Sequence, residues 1–288
     1  MNKIDRVLYS DTDSLFVDIG GFLDIKIGTG WQLLPDDKKI FYIKKICLEM
    51  ESYVNDYCYR ETQRKSYNSA VTDFRIKFKQ EVIAKAALFI SKKRYSMWHI
   101  NDEGANVDYV KNVGLEIIRS DTPSAIKPRL KEVVEMILHG APDSELKLLI
   151  MKHKKEIACV YPEEVAVNIG ISDIEKYEDA DGNPTKGATF QVKGALGYKK
   201  LLKHMRLENK YDSLSSGAKA KVVYVKKNMV GIESLAFQRW PVEFDDIIQV
   251  DFQKHIEKFY IDKIMTLVEP MGKASLLNDN TTGLDMFF

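Results

Sequence analysis

Val7-Leu8-Tyr9-Ser10-Asp11-Thr12-Asp13-Ser14-Leu15-Phe16-Val17 is the stretch on which the reading of this chain turns. Two β-prone runs flank a polar turn, which predicts a hairpin with Ser10-Asp11-Thr12-Asp13 at its tip. Gly20-Gly21 stops the pattern. Asp11 and Asp13 alternate along an extended segment, so both fall on one side, where their like charges repel. A hard divalent cation relieves that repulsion, and oxygen ligands suit Mg²⁺. Two such ions can activate a hydroxyl nucleophile and stabilise the leaving oxygens of a phosphoryl transfer. A bare Asp-x-Asp is more often a plain polar turn, and phosphatases and sugar transferases also use it. The βαβ rhythm that accompanies the phosphatase version is absent.

Outward from the turn, Ile40, Ile43, Ile46, Cys47, Met50, Val54 and Tyr57 recur at three- and four-residue spacing, predicting a helix from Asp36 to about Lys65. Residues 71 to 100 alternate as two or three strands, Asn101-Asp102-Glu103-Gly104 is a turn, and Asn106 to Ile118 gives another short strand or two. Ser120-Asp121-Thr122-Pro123 then signals a helix start, with Ile126 to Leu138 at helical spacing up to Gly140. A second helix is expected from Asp143 to Ala158 and a third around Gly197 to Leu207. Residues 179 to 188 read as a loop, 219 to 237 as a hairpin and Phe252 to Leu267 as a helix. The expected class is α+β. A mixed or antiparallel sheet with a helix occupies 1–119, a mostly helical domain 120–275, and an exposed tail 276–288.

Composition narrows the setting. The 288 residues are 45% apolar and 30% charged, with a formal net charge of +1. Any contact with nucleic acid must therefore come from local basic patches. Cys47, Cys58 and Cys159 form no C-x-x-C pair, and the five histidines lack metal-ligand spacing. The polar N-terminus is no signal peptide, and no apolar run approaches the ~20 residues that span a membrane. A reduced, cytoplasmic protein without membrane partners is the expectation.

Three segments carry a family resemblance. Tyr9-Ser10-Asp11-Thr12-Asp13-Ser14 resembles motif C of the family B DNA polymerases, Y-G-D-T-D-S, with Ser10 in place of the usual glycine. Lys92-Lys93-Arg94-Tyr95 resembles the K-K-R-Y segment that follows it, a run that suits phosphate contact and ring packing on sugar or base. Gly283-Leu284-Asp285-Met286-Phe287-Phe288 resembles the clamp-binding C-terminal peptide of polymerases from T-even-type bacteriophages. Ser120-Asp121-Thr122-Pro123 and Lys193-Gly194-Ala195-Leu196-Gly197-Tyr198 also look like thumb landmarks of the phage enzymes.

The resemblance implies the rest of a polymerase palm, a thumb and a clamp-binding tail. It implies that Asp13 bridges two Mg²⁺ ions, that Asp11 and Lys93 tune their coordination, and that Glu81 is an accessory acidic group near them. Lys92, Lys93, Arg94 and Tyr95 would contact primer–template DNA, and Leu284, Asp285, Met286, Phe287 and Phe288 a sliding clamp.

The motif A aspartate, D-x-x-S-L-Y-P-S, the fingers helix and the exonuclease carboxylates have no counterpart. Asn68-Ser69 lies in the wrong order to stand for the fingers motif. The expectation is a subunit inactive alone, which binds dNTP and extends DNA only with a partner chain bearing exonuclease, fingers and motif A. Only eight residues precede the motif, which fits a naturally split gene; a fragmentary gene would look the same. The alternatives are a non-catalytic module that grips DNA and a clamp, and an unrelated Asp-x-Asp enzyme.

Overall fold

The computed structural model describes residues 6–65 and 77–277. The chain divides into two compact units, Met1–Lys111 and Asn112–Phe288. The class is α+β, with antiparallel sheets throughout. No helix among the described residues is long and apolar enough to cross a membrane. The strands expected from residue 71 begin in the segment 66–76, which lies outside the described residues, as does the tail peptide Leu284–Phe288.

In the first unit, β1 (Val7–Asp11) and β2 (Ser14–Val17) form the hairpin, pairing Tyr9 with Phe16, Ser10 with Leu15 and Asp11 with Ser14. Helix α1 (Gly20–Ile27) follows immediately where Gly20-Gly21 was expected only to end a strand. The Arg6 guanidinium pairs with Asp18 at 3.2 Å and fills the space beside Gly21, where a Cβ would meet it at 2.0 Å and push it aside.

Helix α2 (Asp36–Lys65) has the predicted bounds and buries Ile40 and Ile46. Its polar residues hold the incoming chain. Asn55 donates to the Phe78 carbonyl at 2.8 Å and accepts from the Phe78 amide at 2.7 Å, as a neighbouring strand would. Strands β3 (Val82–Ser91), β4 (Arg94–Asp102) and β5 (Ala105–Val113) form the second sheet in that order, and Ile83 and Ile100 pack with Ile40.

The second unit contains α3 (Ile126–Leu138), α4 (Asp143–Ile157), α5 (Pro162–Val165) and α6 (Phe190–Met205). The first hydrogen-bonded turn of α3 reaches back to the Pro123 carbonyl, as the helix-start signal implied. Strands β7 (Lys219–Tyr224) and β8 (Ser234–Phe237) form the hairpin expected over 219–237, and β6 (Val167–Gly170), which was not expected, completes a three-stranded sheet in an otherwise mostly helical unit. The closing helical run comprises α7 (Phe252–His255), a π-helical stretch Ile256–Ile261 and α8 (Asp262–Val268).

Helix α6 begins seven residues before the expected Gly197, because its glycines are required by packing. A Cβ on Gly197 would lie 2.6 Å from the Ser234 carbonyl oxygen, and one on Gly194 2.9 Å from Val222 and 3.0 Å from the Ala236 nitrogen. The helix thus lies nearly in backbone contact with β8 and against the Val222 side chain of β7, over a core of Val192, Ala195, Leu196, Val222 and Ala236. In an open helix, Gly→Ala stabilises by about 1 kcal/mol. Here the sign reverses. Gly197→Ala is expected to cost about 2 kcal/mol, through displacement of the helix from the sheet, read as a lowered urea midpoint.

Fully buried His255 accepts a 2.8 Å hydrogen bond from the Tyr224 amide at Nε2, which leaves Nδ1 to carry the proton of the neutral ring. Burial pushes its pKa from 6.5 down to about 4, opposed by Asp251 and assisted by Lys254. Between those values the unfolded chain binds the proton and the folded chain does not, so stability falls as pH drops from about 6.5 to about 4. The loss should total about 3 kcal/mol. Urea melts across that window should show it in the wild type and lack it in His255→Asn.

Candidate active site at two hairpin tips

The β1–β2 tip is a two-residue turn, Thr12-Asp13. Thr12 has φ 50°, a left-handed conformation rare for a β-branched residue. The Asp13 amide donates to the Asp11 carbonyl at 2.6 Å, closing a three-residue turn, and Ser14 Oγ donates to the same carbonyl at 3.1 Å. Thr12 Oγ1 lies 3.3 Å from Asp11 Oδ1 and donates to it. Such a conformation costs on the order of 1–3 kcal/mol and persists only when its surroundings hold it. Asp13 is exposed, and Asp11 is half-buried.

The β3–β4 tip is built alike. Ser91 pairs with Arg94 across the turn Lys92-Lys93, and Lys93 has φ 61°. This tip meets the first. Lys93 Nζ lies 3.4 Å from Asp11 Oδ2, and the Lys93 amide donates to the Tyr9 hydroxyl at 2.9 Å. The lysine side chain is 65% exposed, so the ion pair contributes no more than about 1 kcal/mol.

Aromatic packing joins the hairpins more firmly. Tyr9 and Phe16 form a cross-strand pair on one hairpin, Phe89 and Tyr95 on the other. All six ring pairs among these four residues have centroids 5.5–5.9 Å apart. The Tyr95 ring, expected to face sugar or base, is thus packed on three other rings. Burial, then Tyr9 and Asp11, push its hydroxyl pKa up. This cluster was missed in the sequence, although an aromatic pair flanking each turn, at 9 and 16 and at 89 and 95, is a legible signal.

Asp11, Asp13, Lys92, Lys93, Arg94 and Tyr95 therefore gather at the two tips, and Glu81 does not. Glu81 precedes β3 at the end remote from Lys92-Lys93, where its carbonyl accepts from the Glu103 amide. Ten residues of extended chain put it roughly 30 Å from Ser91. The expectation that Glu81 is an accessory group near the metals is corrected accordingly. Among the described residues, no three His, Cys, Asp or Glu side chains are grouped to hold a metal ion. The two turn carboxylates still suit Mg²⁺, which takes one or two protein carboxylates and fills its sphere with phosphate oxygens and water. As built, the site can supply part of a cation's coordination beside cationic groups suited to phosphate.

Phe89→Ala would open the ring cluster and should lower the stability of the first unit by about 2–3 kcal/mol. Leu15→Ala, on a half-exposed side chain of the same hairpin, should cost within about 0.5 kcal/mol. Urea melts followed by near-ultraviolet circular dichroism compare the two.

No protein-family model matches the chain. The DNA-directed DNA polymerase of Enterobacteria phage T4 is 24% identical to it over 202 residues, covering 65% of this chain and 22% of the phage protein. The DNA-directed DNA polymerase of Escherichia phage RB69 is 26% identical over 207 residues, covering 68% and 22%. The aligned part is about a fifth of the length of these relatives. Over about two thirds of its own length, this chain is a distant relative of phage DNA-directed DNA polymerases.

Proposed function

We propose that the chain is the C-terminal subunit of a split DNA-directed DNA polymerase, supplying motif C, a grip on primer–template duplex and a sliding-clamp tether. The carrying observation is the acidic turn held 3.4 Å from a basic turn, Asp11 to Lys93, in a distant relative of polymerases. The first unit supports the need for a partner. Among its described residues only seven apolar side chains are buried, against thirty-nine in the second unit, and eleven large ones are exposed. So small a core with so many exposed apolar side chains is what a unit that packs against another chain would show.

In this reading Asp13 would hold Mg²⁺ from one side, with Asp11 beside it shaping the coordination, and the partner's motif A aspartate and the dNTP phosphates would hold it from the other. The ions would supply charge neutralisation on the triphosphate and a more acidic primer hydroxyl. Lys92, Lys93 and Arg94 neutralise backbone phosphates and seat the primer end beside the carboxylates. Lys93 also offsets the charge on Asp11 while the triphosphate is away. The tail Leu284–Phe288 would fill an apolar pocket on the clamp. The partner would bring exonuclease and fingers, and replication in the host cytoplasm is the setting this implies.

Primer extension by purified chains tests the proposal. The chain alone should incorporate no nucleotide, and mixing with a chain carrying D-x-x-S-L-Y-P-S and the fingers motif should restore incorporation. Asp13→Ala should reduce the mixed activity on the order of a thousandfold. Activity unchanged by Asp13→Ala would leave the chain a DNA- and clamp-binding module, and robust extension by this chain alone would refute the split.

A further inference from the structure

Ring packing fixes the distance between the two hairpins but not the direction of their tips. Phenylalanine serves that purpose at 16 and 89, so the hydroxyl of Tyr9 has another use. It accepts the Lys93 amide at 2.9 Å, across 84 residues of sequence. Lys93 is the position whose φ of 61° lies in the left-handed region, and such a turn keeps its shape only when a neighbour holds it. The ion pair to Asp11 is a poor holder, being long and mostly solvated. Tyr9 is a good one, since its ring touches Phe16, Phe89 and Tyr95 and precedes Asp11 by two residues on β1.

We propose that Tyr9 is a positioning residue whose hydroxyl locks the backbone of the Lys92-Lys93 turn to the strand bearing Asp11. The lock aims Lys92, Lys93 and Arg94 along the acidic tip, so phosphate and cation sites are presented in fixed register. That the aimed groups meet nucleic-acid phosphate rests on the polymerase reading; the lock itself does not.

Tyr9→Phe keeps the ring and deletes the acceptor. Two measurements on the full chain separate the questions: hydrogen exchange at the Lys93 amide, and affinity for a fluorescent primer–template duplex across a salt series, with Lys93→Ala as comparator. Tyr9→Phe should speed Lys93 exchange about tenfold and weaken duplex binding about threefold to tenfold, with a shallower salt dependence. Unchanged exchange overturns the lock. Faster exchange with wild-type duplex affinity, where Lys93→Ala binds weakly, overturns its positioning role. Wild-type and Lys93→Ala chains that bind the duplex equally poorly overturn the phosphate reading, while the exchange result still decides the lock.

Discussion

Packing among four aromatic rings is the constraint on which the candidate site depends. A two-stranded hairpin is marginal in water by itself. The β1–β2 hairpin has two strands and, on its outer side, exposed Leu8 and Leu15. What holds it is its inner face, where Tyr9 and Phe16 rest on Phe89 and Tyr95. Because each pair is in cross-strand register, the two turns arrive at the same end of the assembly. The meeting of Asp11 with Lys93 follows from ring geometry more than from attraction between their charges.

The second unit solves a different packing problem. Its sheet and α6 approach until backbone meets backbone, at Gly194 and Gly197. One buried pair there reaches the surface through a carboxylate: Tyr260 lies 2.6 Å from His153 Nδ1, and His153 Nε2 lies 2.9 Å from half-exposed Glu132. Burial holds the His153 pKa below its usual value despite that carboxylate, and pushes the Tyr260 hydroxyl well up. These groups resemble a relay, but their ties to three helical segments suit a structural network.

Periodicity made the long elements legible. Helix α2 and the hairpin lie where three- and two-residue repeats put them, and α3 and α4 agree to within a few residues. Elements decided by distant contacts were not legible. Gly20-Gly21 reads as a stop, yet the chain enters α1 there beneath the Arg6 guanidinium. Two glycines hid the start of α6, since helix propensity cannot anticipate a sheet pressed against it. In the site, the motif resemblance marked the carboxylates and the basic run, which spacing and charge by themselves read as a plain turn and a solvated edge. The position of Glu81 depended on how far a ten-residue strand carries the chain, which a local motif does not encode.

The uneven division of buried apolar side chains also bears on how the molecule fails with heat. Two units with such different cores need not melt together, and a single Tm would then describe neither. The sparsely packed unit carries both turns, whereas the densely packed one carries most of the helices of the C-terminal half. Warming would erase the acidic and basic tips together with α2, while the helices of the second unit persist, so the helical signal should fall in two steps. The first of those steps, and not the midpoint of the whole curve, would report when the two tips are lost.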